Sequence, residues 1–347
     1  MKLGGNPTGQ PFHTHLTAFG STVSLHRFKQ IALVLLVAAG VSLWAADARS
    51  ADQIPSAEVT QPWELDSYQA CDNAGVCKAP GLFDELYLRF AFDGSKQPQD
   101  FGVNAVAGAQ ATINLGLPVL PDYGIGFQIG SSITATSNAV RVYELVGETT
   151  GRTQSFTTVG MFQRFDSGWS WGVVHDFLYE DYFDDFSLGQ WRLRSSFDFN
   201  ECNQVGATAM LRSYDDTGTF GASTDVRLQP IDQLQFYWRH YWQSGAQTSL
   251  WLGLADGHGE DNAVTGFAPA KDESFLFGAD VLMPLTPSLA IYGETNIITP
   301  IDTGTVDAFL GIQWYPGAKA YSARRGKFSP MFEVASPVSL AADLIRL

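Results

Sequence analysis

The stretch from Val103 to Leu117 constrains this chain more than any other. Val103, Ala105, Ala107, Ala109, Ala111, Ile113, Leu115 and Leu117 take every odd position, while Asn104, Val106, Gly108, Gln110, Thr112, Asn114 and Gly116 take the even ones. Successive side chains of a strand point to opposite faces, so this period of two specifies a strand with one apolar face. A helix would scatter the same residues around its circumference. At ~3.3 Å per residue the run extends for about 50 Å. Strands of soluble sandwiches usually stop at about five or six residues. A tilted strand that crosses a bilayer and continues past it accommodates the length.

The same alternation recurs down the chain. Segments 86–92, 125–135, 154–164, 169–179, 190–200, 205–211, 226–228, 234–242, 275–283, 289–297 and 306–314 complete a set of about 12 strands. Short turns (PVLPD, RFDSG, NECNQ, QPIDQ, PLTPS) separate some of them, and longer acidic links around 93–101, 136–153, 180–188, 213–223 and 299–305 separate the others. Short turns at one end and long loops at the other are the arrangement of outer-membrane barrels. The expected fold is therefore an all-β, antiparallel, up-and-down transmembrane β-barrel. Residues 244–272 are read as one long external loop, and the apolar piece Ser249–Leu254 within it leaves a range of 10–14 strands. A soluble jelly roll or sandwich also alternates. Against it stand the secretion signal described next, the low charge of the apolar faces, and Trp169, Trp171, Trp191, Trp242, Trp314 and Tyr315 near strand ends, where aromatic girdles form.

One apolar run of another kind exists, Ile31–Trp44, preceded by His26, Arg27 and Lys29 and followed by Ala46-Asp47-Ala48. A basic flank, a short apolar core and an A-x-A site make a secretory signal peptide, here 1–48 with an extended n-region. The run is too short to span a bilayer as a helix, which takes about 20 residues. Removing 1–48 takes away Lys2, Arg27, Lys29 and Asp47, and moves the formal net charge from −15 to −17. Such acidity argues against a nucleic-acid partner. Charged residues make up 16 % of the chain, low against roughly 25 % in soluble domains. Residues 49–85 are polar and aperiodic, and read as a periplasmic segment in which Cys71 and Cys77 close a local disulfide; Cys202 is left over. No metal-ligand spacing stands out, and no cofactor is expected.

The stretch FDGSKQPQDFGVNA (Phe92–Ala105) and the closing LGIQWYPG (Leu310–Gly317) resemble an uncharacterised family of secreted bacterial proteins, over most of 82–335. The resemblance implies a barrel class and attaches no activity. Outer-membrane barrels usually close on an aromatic strand that the assembly machinery recognises. Here 317–347 follow that strand, and are expected to form a tail in the periplasm.

With the polar faces turned inward, Arg192, Arg194, Arg212, Arg227 and Arg239 gather on one side of the lumen and Asp280, Glu294 and Asp307 on the other. Two charged walls would orient polar solutes in a transverse field. That motivates a porin-like channel for small polar solutes, with outer-membrane lipid and the barrel assembly machinery as its other partners. The alternative is a plugged structural or interaction barrel displaying acidic loops, which suits a lumen of this width. A hydrolase is the third reading. A lipid-cleaving barrel needs a His and a Ser two residues apart, but His175 and His240 have Phe177 and Trp242 at that offset. A rim site would draw on His175-Asp176 with Asp181, Asp184 and Asp185, or on Asp256–Asp261 with His258; acidic loops are expected anyway on so acidic a chain. The expectation is no enzyme. The glycines of the second and third strands are read as giving room inside the lumen or at a close strand crossing.

Overall fold

The computed structural model describes residues 83–97, 105–138, 144, 147, 149–221, 224–256, 274–299 and 305–347. The signal segment, Cys71, Cys77 and His258 lie outside the described residues. Fifteen strands are present among them: β1 (Leu86–Lys96), β2 (Val106–Leu120), β3 (Ile125–Asn138), β4 (Gly151–Arg164), β5 (Trp169–Asp181), β6 (Asp185–Asn200), β7 (Asn203–Tyr214), β8 (Asp216–Phe220), β9 (Thr224–Pro230), β10 (Asp232–Tyr241), β11 (Gln247–Asp256), β12 (Ser274–Thr286), β13 (Leu289–Ile298), β14 (Val306–Trp314) and β15 (Ala342–Arg346). Twelve of them, β1–β7 and β10–β14, form a closed antiparallel barrel. β14 returns to β1 in register from Leu88↔Trp314 to Lys96↔Val306, so the sheet has no free edge. No described helix is long and apolar enough to cross a membrane.

The expected total of twelve holds with one exchange of members. Val226 and Leu228 belong to β9, which pairs with β8 and β15 in a separate three-stranded sheet. The residues of 249–254 belong instead to β11, which pairs with β10 and β12 in the wall. The physical reason is length and phase. β9 has seven residues, and its two apolar side chains are fully buried. β11 turns Leu250, Leu252 and Leu254 outward at 56 %, 69 % and 40 % exposure, with Ser249 and Trp251 inward.

Each wall strand alternates as its sequence dictates. On β2, Ala109, Ala111 and Ile113 are exposed while Gln110, Thr112 and Asn114 are buried. The outward positions of β12 run from Phe275 through Phe277, Ala279, Val281 and Met283 to Leu285. Ten steps at ~3.3 Å, tilted by about 40°, make a band roughly 25 Å tall, the height of an apolar belt across an outer membrane. Leaving the Phe, Leu and Ile side chains of this band in water would cost about 1.5–3 kcal/mol each. Trp171, Trp238, Trp242 and Trp314 are exposed toward the end bearing the short turns. Trp238 and Trp242 donate their indole N–H to Asn203 (3.0 Å) and Thr248 (3.1 Å), as girdle aromatics with one apolar and one polar side do.

The core lies inside the barrel, around the C-terminal segment. After β14 the chain turns beneath the short-turn end, where the Tyr315 and Ala320 N–H groups donate to the Ser288 and Pro287 carbonyls (2.8 Å each). It then threads the lumen through Met331–Ala341, and β15 pairs antiparallel with β9, from Ala342↔Pro230 to Arg346↔Val226. Val334, Ala335, Leu340 and Leu344 pack with Val226 and Leu228 against Phe156, Leu178, Phe186 and Leu188 of the wall. The expectation of a periplasmic tail at 317–347 is thus corrected from Met331 onward, where the chain lies in the lumen. The tail supplies the apolar filling that a polar inner wall does not supply for itself.

Two inward glycines on adjacent strands make room for it. A Cβ on Gly116 would fall 2.0 Å from the Phe328 carbonyl oxygen, and one on Gly130 would fall 2.3 Å from Val334 Cγ2. The glycines of the second and third strands were expected to give room in the lumen or at a close strand crossing; Gly116 and Gly130 do the first, whereas a Cβ on Gly108 would meet the neighbouring strand at the Ala135 carbonyl oxygen (2.0 Å).

Candidate functional site: a charged lumen closed on Glu333

The strands bring inward a set of charged side chains that is wider than the sequence suggested. On β6, Arg192 is buried and pairs with Asp176 of β5, with an Nη2–Oδ1 distance of 2.8 Å. It also donates to the Glu333 carbonyl at 2.9 Å. Arg194 donates to Thr208 (3.2 Å) and to the Met331 carbonyl (2.7 Å), and its guanidinium lies over the rings of Phe332 (4.9 Å) and Tyr237 (5.5 Å). On β10, Arg239 donates to Ser249 at 2.9 Å and stands 3.9 Å from Asp280 of β12. Glu294 of β13 accepts from the Tyr292 hydroxyl at 2.6 Å. Asp307 of β14 accepts from Gln97 at 2.9 Å, nearer the loop end.

Two of the expected lumen arginines do not join this cluster. Arg227 is on β9, and so belongs to the small inner sheet and not to the barrel wall. Arg212 sits at the loop end of β7, hydrogen-bonded to Gln229 and 3.9 Å from Asp215. The two facing charged walls are not separated by open space, because the tail lies between them.

At the centre is Glu333. Its carboxylate accepts from Tyr87, from Arg89 of β1 at 3.1 Å and from Arg324 of the tail at 2.9 Å. Arg324 also reaches Asp280 at 3.0 Å, tying tail to wall. Two guanidiniums and a hydroxyl thus converge on one carboxylate inside the barrel. A cavity of about 50 Å³ lies beside this cluster, bordered by Arg194, Arg239, Asp280, Tyr292, Glu294 and Glu333. That is room for a few water molecules, since one needs ~10–15 Å³ by this measure.

Wall side chains also address the main chain of the tail. Asn114 and Gln128 donate to the Phe332 carbonyl at 3.0 Å each, and the Gln128 carbonyl accepts the Met331 and Phe332 N–H groups. The Thr158 hydroxyl accepts the Ala335 N–H at 2.9 Å, and Gln190 donates to the Ser339 carbonyl at 3.2 Å.

Arg89, Arg324 and Glu333 were not singled out from the sequence, and Asp176 only as a partner for His175 at the rim. The signal for Arg89 and Asp176 was present, because each is one step out of phase with its outward neighbours Phe90 and Phe177. Glu333 and Arg324 lie in an aperiodic tail that carries no such signal. The pairing of His175 with Asp176 does not form: Asp176 faces the lumen, while His175 lies on the outer surface, its ring 4.6 Å from that of Trp191. Cys202 is free and exposed in the turn between β6 and β7.

Among solved structures, the chain is similar to a KdgM porin, with 9 % identity over 65 % of this chain and 98 % of that one at a TM-score of 0.37. The COG4313 outer membrane channel from Pseudomonas putida F1 shares 12 % identity over 68 % and 98 % at 0.46. Outer membrane phospholipase A from Escherichia coli shares 11 % over 66 % and 95 % at 0.35. No curated protein sequence matches. Residues 85–342 match the family of unknown function DUF6666, from the turn before β1 to the first residue of β15. The match takes in the wall strands, β8, β9 and the lumen-filling segment as far as the start of β15, and the chain belongs to that family.

Proposed function

We propose that the protein is an outer-membrane β-barrel, porin-like in its wall, that rests closed because its own C-terminal segment occupies the lumen. The observation that carries this reading is Glu333, held inside by Tyr87, Arg89 and Arg324 at the middle of a ring of polar side chains. Outer-membrane lipid would cover the apolar band, and the barrel assembly machinery would insert it. Small polar solutes become candidates for passage only when the tail moves, since the wall beneath it is rich in Gln, Ser, Thr and Asn. Cys71 and Cys77 are proposed as a disulfide in the segment that precedes the barrel, consistent with secretion.

We read the role as structural or conductive, and the His175–Asp176 pair lends no support to a catalytic one. His175 and Asp176 stand on opposite sides of the wall, so neither can position the other for proton transfer. A permanently plugged barrel is the second reading, favoured by the apolar cluster that seats β9 and β15. Cell fractionation tests the common part of both. The protein is expected in the outer-membrane fraction, with a gel mobility that changes on boiling; a water-soluble protein of unchanged mobility would refute it.

A further inference from the structure

We propose that the lumen is a binding site for a polypeptide segment, filled here in cis by the tail and open to the same kind of segment supplied in trans. The contacts themselves carry the inference. A plug that only filled space would need no more than its apolar packing, which Val334, Leu340 and Leu344 supply. Beyond that packing, Asn114, Gln128, Thr158, Gln190, Arg192 and Arg194 all hydrogen-bond to amide or carbonyl groups of Met331–Ser339. Those groups are common to every polypeptide, so they give affinity without reading sequence.

Sequence is read at two points. The Phe332 ring lies under the Arg192 and Arg194 guanidiniums, at 5.5 and 4.9 Å, a cation–π arrangement that selects an aromatic. The next residue, Glu333, places a carboxylate on Arg89 and Tyr87, which selects an acid. Nine residues further on, β15 adds to the β9 edge by main-chain pairing, the mode by which sheets capture strands from other chains. The ligand class is therefore a polypeptide bearing an aromatic–acid pair, followed nine residues later by a strand-forming stretch. The proposal rests on the tail occupying the lumen, as the functional reading does, but not on conductance.

The test keeps the whole chain during folding. A protease recognition sequence placed between Tyr321, which is exposed, and Ser322 allows the tail to be cut after the barrel has formed. The cut protein in detergent is then titrated with a fluorescent synthetic peptide of residues 322–347. Saturable uptake by the cut barrel, negligible uptake by the uncut one, and competition by unlabelled peptide are expected. A peptide carrying Glu333→Gln should compete at least about tenfold less well, the loss of one charge-assisted contact. Equal competition by that peptide, equal uptake by the uncut barrel, or no uptake after mass spectrometry shows the resident tail gone would each overturn the proposal. So would a resident tail that never leaves while the barrel keeps its unheated gel mobility, since that describes a permanent plug. Conductance is not read in this experiment, so a barrel that binds the peptide yet never conducts separates the two claims.

Discussion

Glu333 is the residue on which the interior depends most. Its carboxylate takes the Arg89 and Arg324 guanidiniums and the Tyr87 hydroxyl together. Glu333→Gln leaves Arg89 without its carboxylate and should cost about 3 kcal/mol, read as a lower urea midpoint by tryptophan fluorescence. Arg192 and Asp176 offer a second test, because both are buried in one pair. Asp176→Leu alone should cost about 3–5 kcal/mol, whereas Asp176→Leu with Arg192→Met should recover most of it, the signature of an ion pair whose desolvation nearly cancels its attraction. At this scale, strand phase made the wall charges legible: Arg192, Arg194, Arg239, Asp280, Glu294 and Asp307 all lie on wall strands. It could not reveal Glu333, because a segment without period carries no signal for which way a side chain points.

Among elements, the wall strands were legible wherever one apolar face meets solvent or lipid and the other stays polar. β2, β12 and β14 follow their sequence patterns almost residue by residue. The exchange of β9 for β11 shows where that logic ends. Two apolar residues at the right spacing look the same on a short inner strand as on a wall strand, and only pairing partners tell them apart. The tail escaped for a related reason: many of its contacts join wall side chains to its main chain, and main-chain groups leave no trace in sequence. The wall, however, left one in its glycines. Gly130→Leu would drive its side chain into Val334 and Asn114, an overpacking worth about 1–3 kcal/mol. The tail should loosen while the wall persists. Trypsin should then cut faster around Arg324, Arg325 and Lys327, with the heat-modifiable gel mobility retained; loss of that mobility would mean that Gly130 serves the wall itself.

At the scale of the whole molecule, the protein joins a membrane-type wall to an interior completed by its own C-terminus. The outer face is apolar over a band of roughly 25 Å and fringed with tryptophan; the inner face is polar and charged, with the tail's apolar residues packed where an open pore would hold water. β8, β9 and β15 stopper the loop end, and residues 315–330 underlie the other. The class was legible from alternation and connection lengths, whereas closure arises from the folding back of a segment that looked peripheral. Conductance across a planar bilayer, recorded on the intact protein and again after cleavage between Tyr321 and Ser322 with the freed tail washed away, tests this most directly. The intact barrel should be silent and the stripped barrel should show stepwise currents. Steady currents from the intact protein, or silence from a stripped barrel that is still folded, would contradict a lumen closed by its own tail.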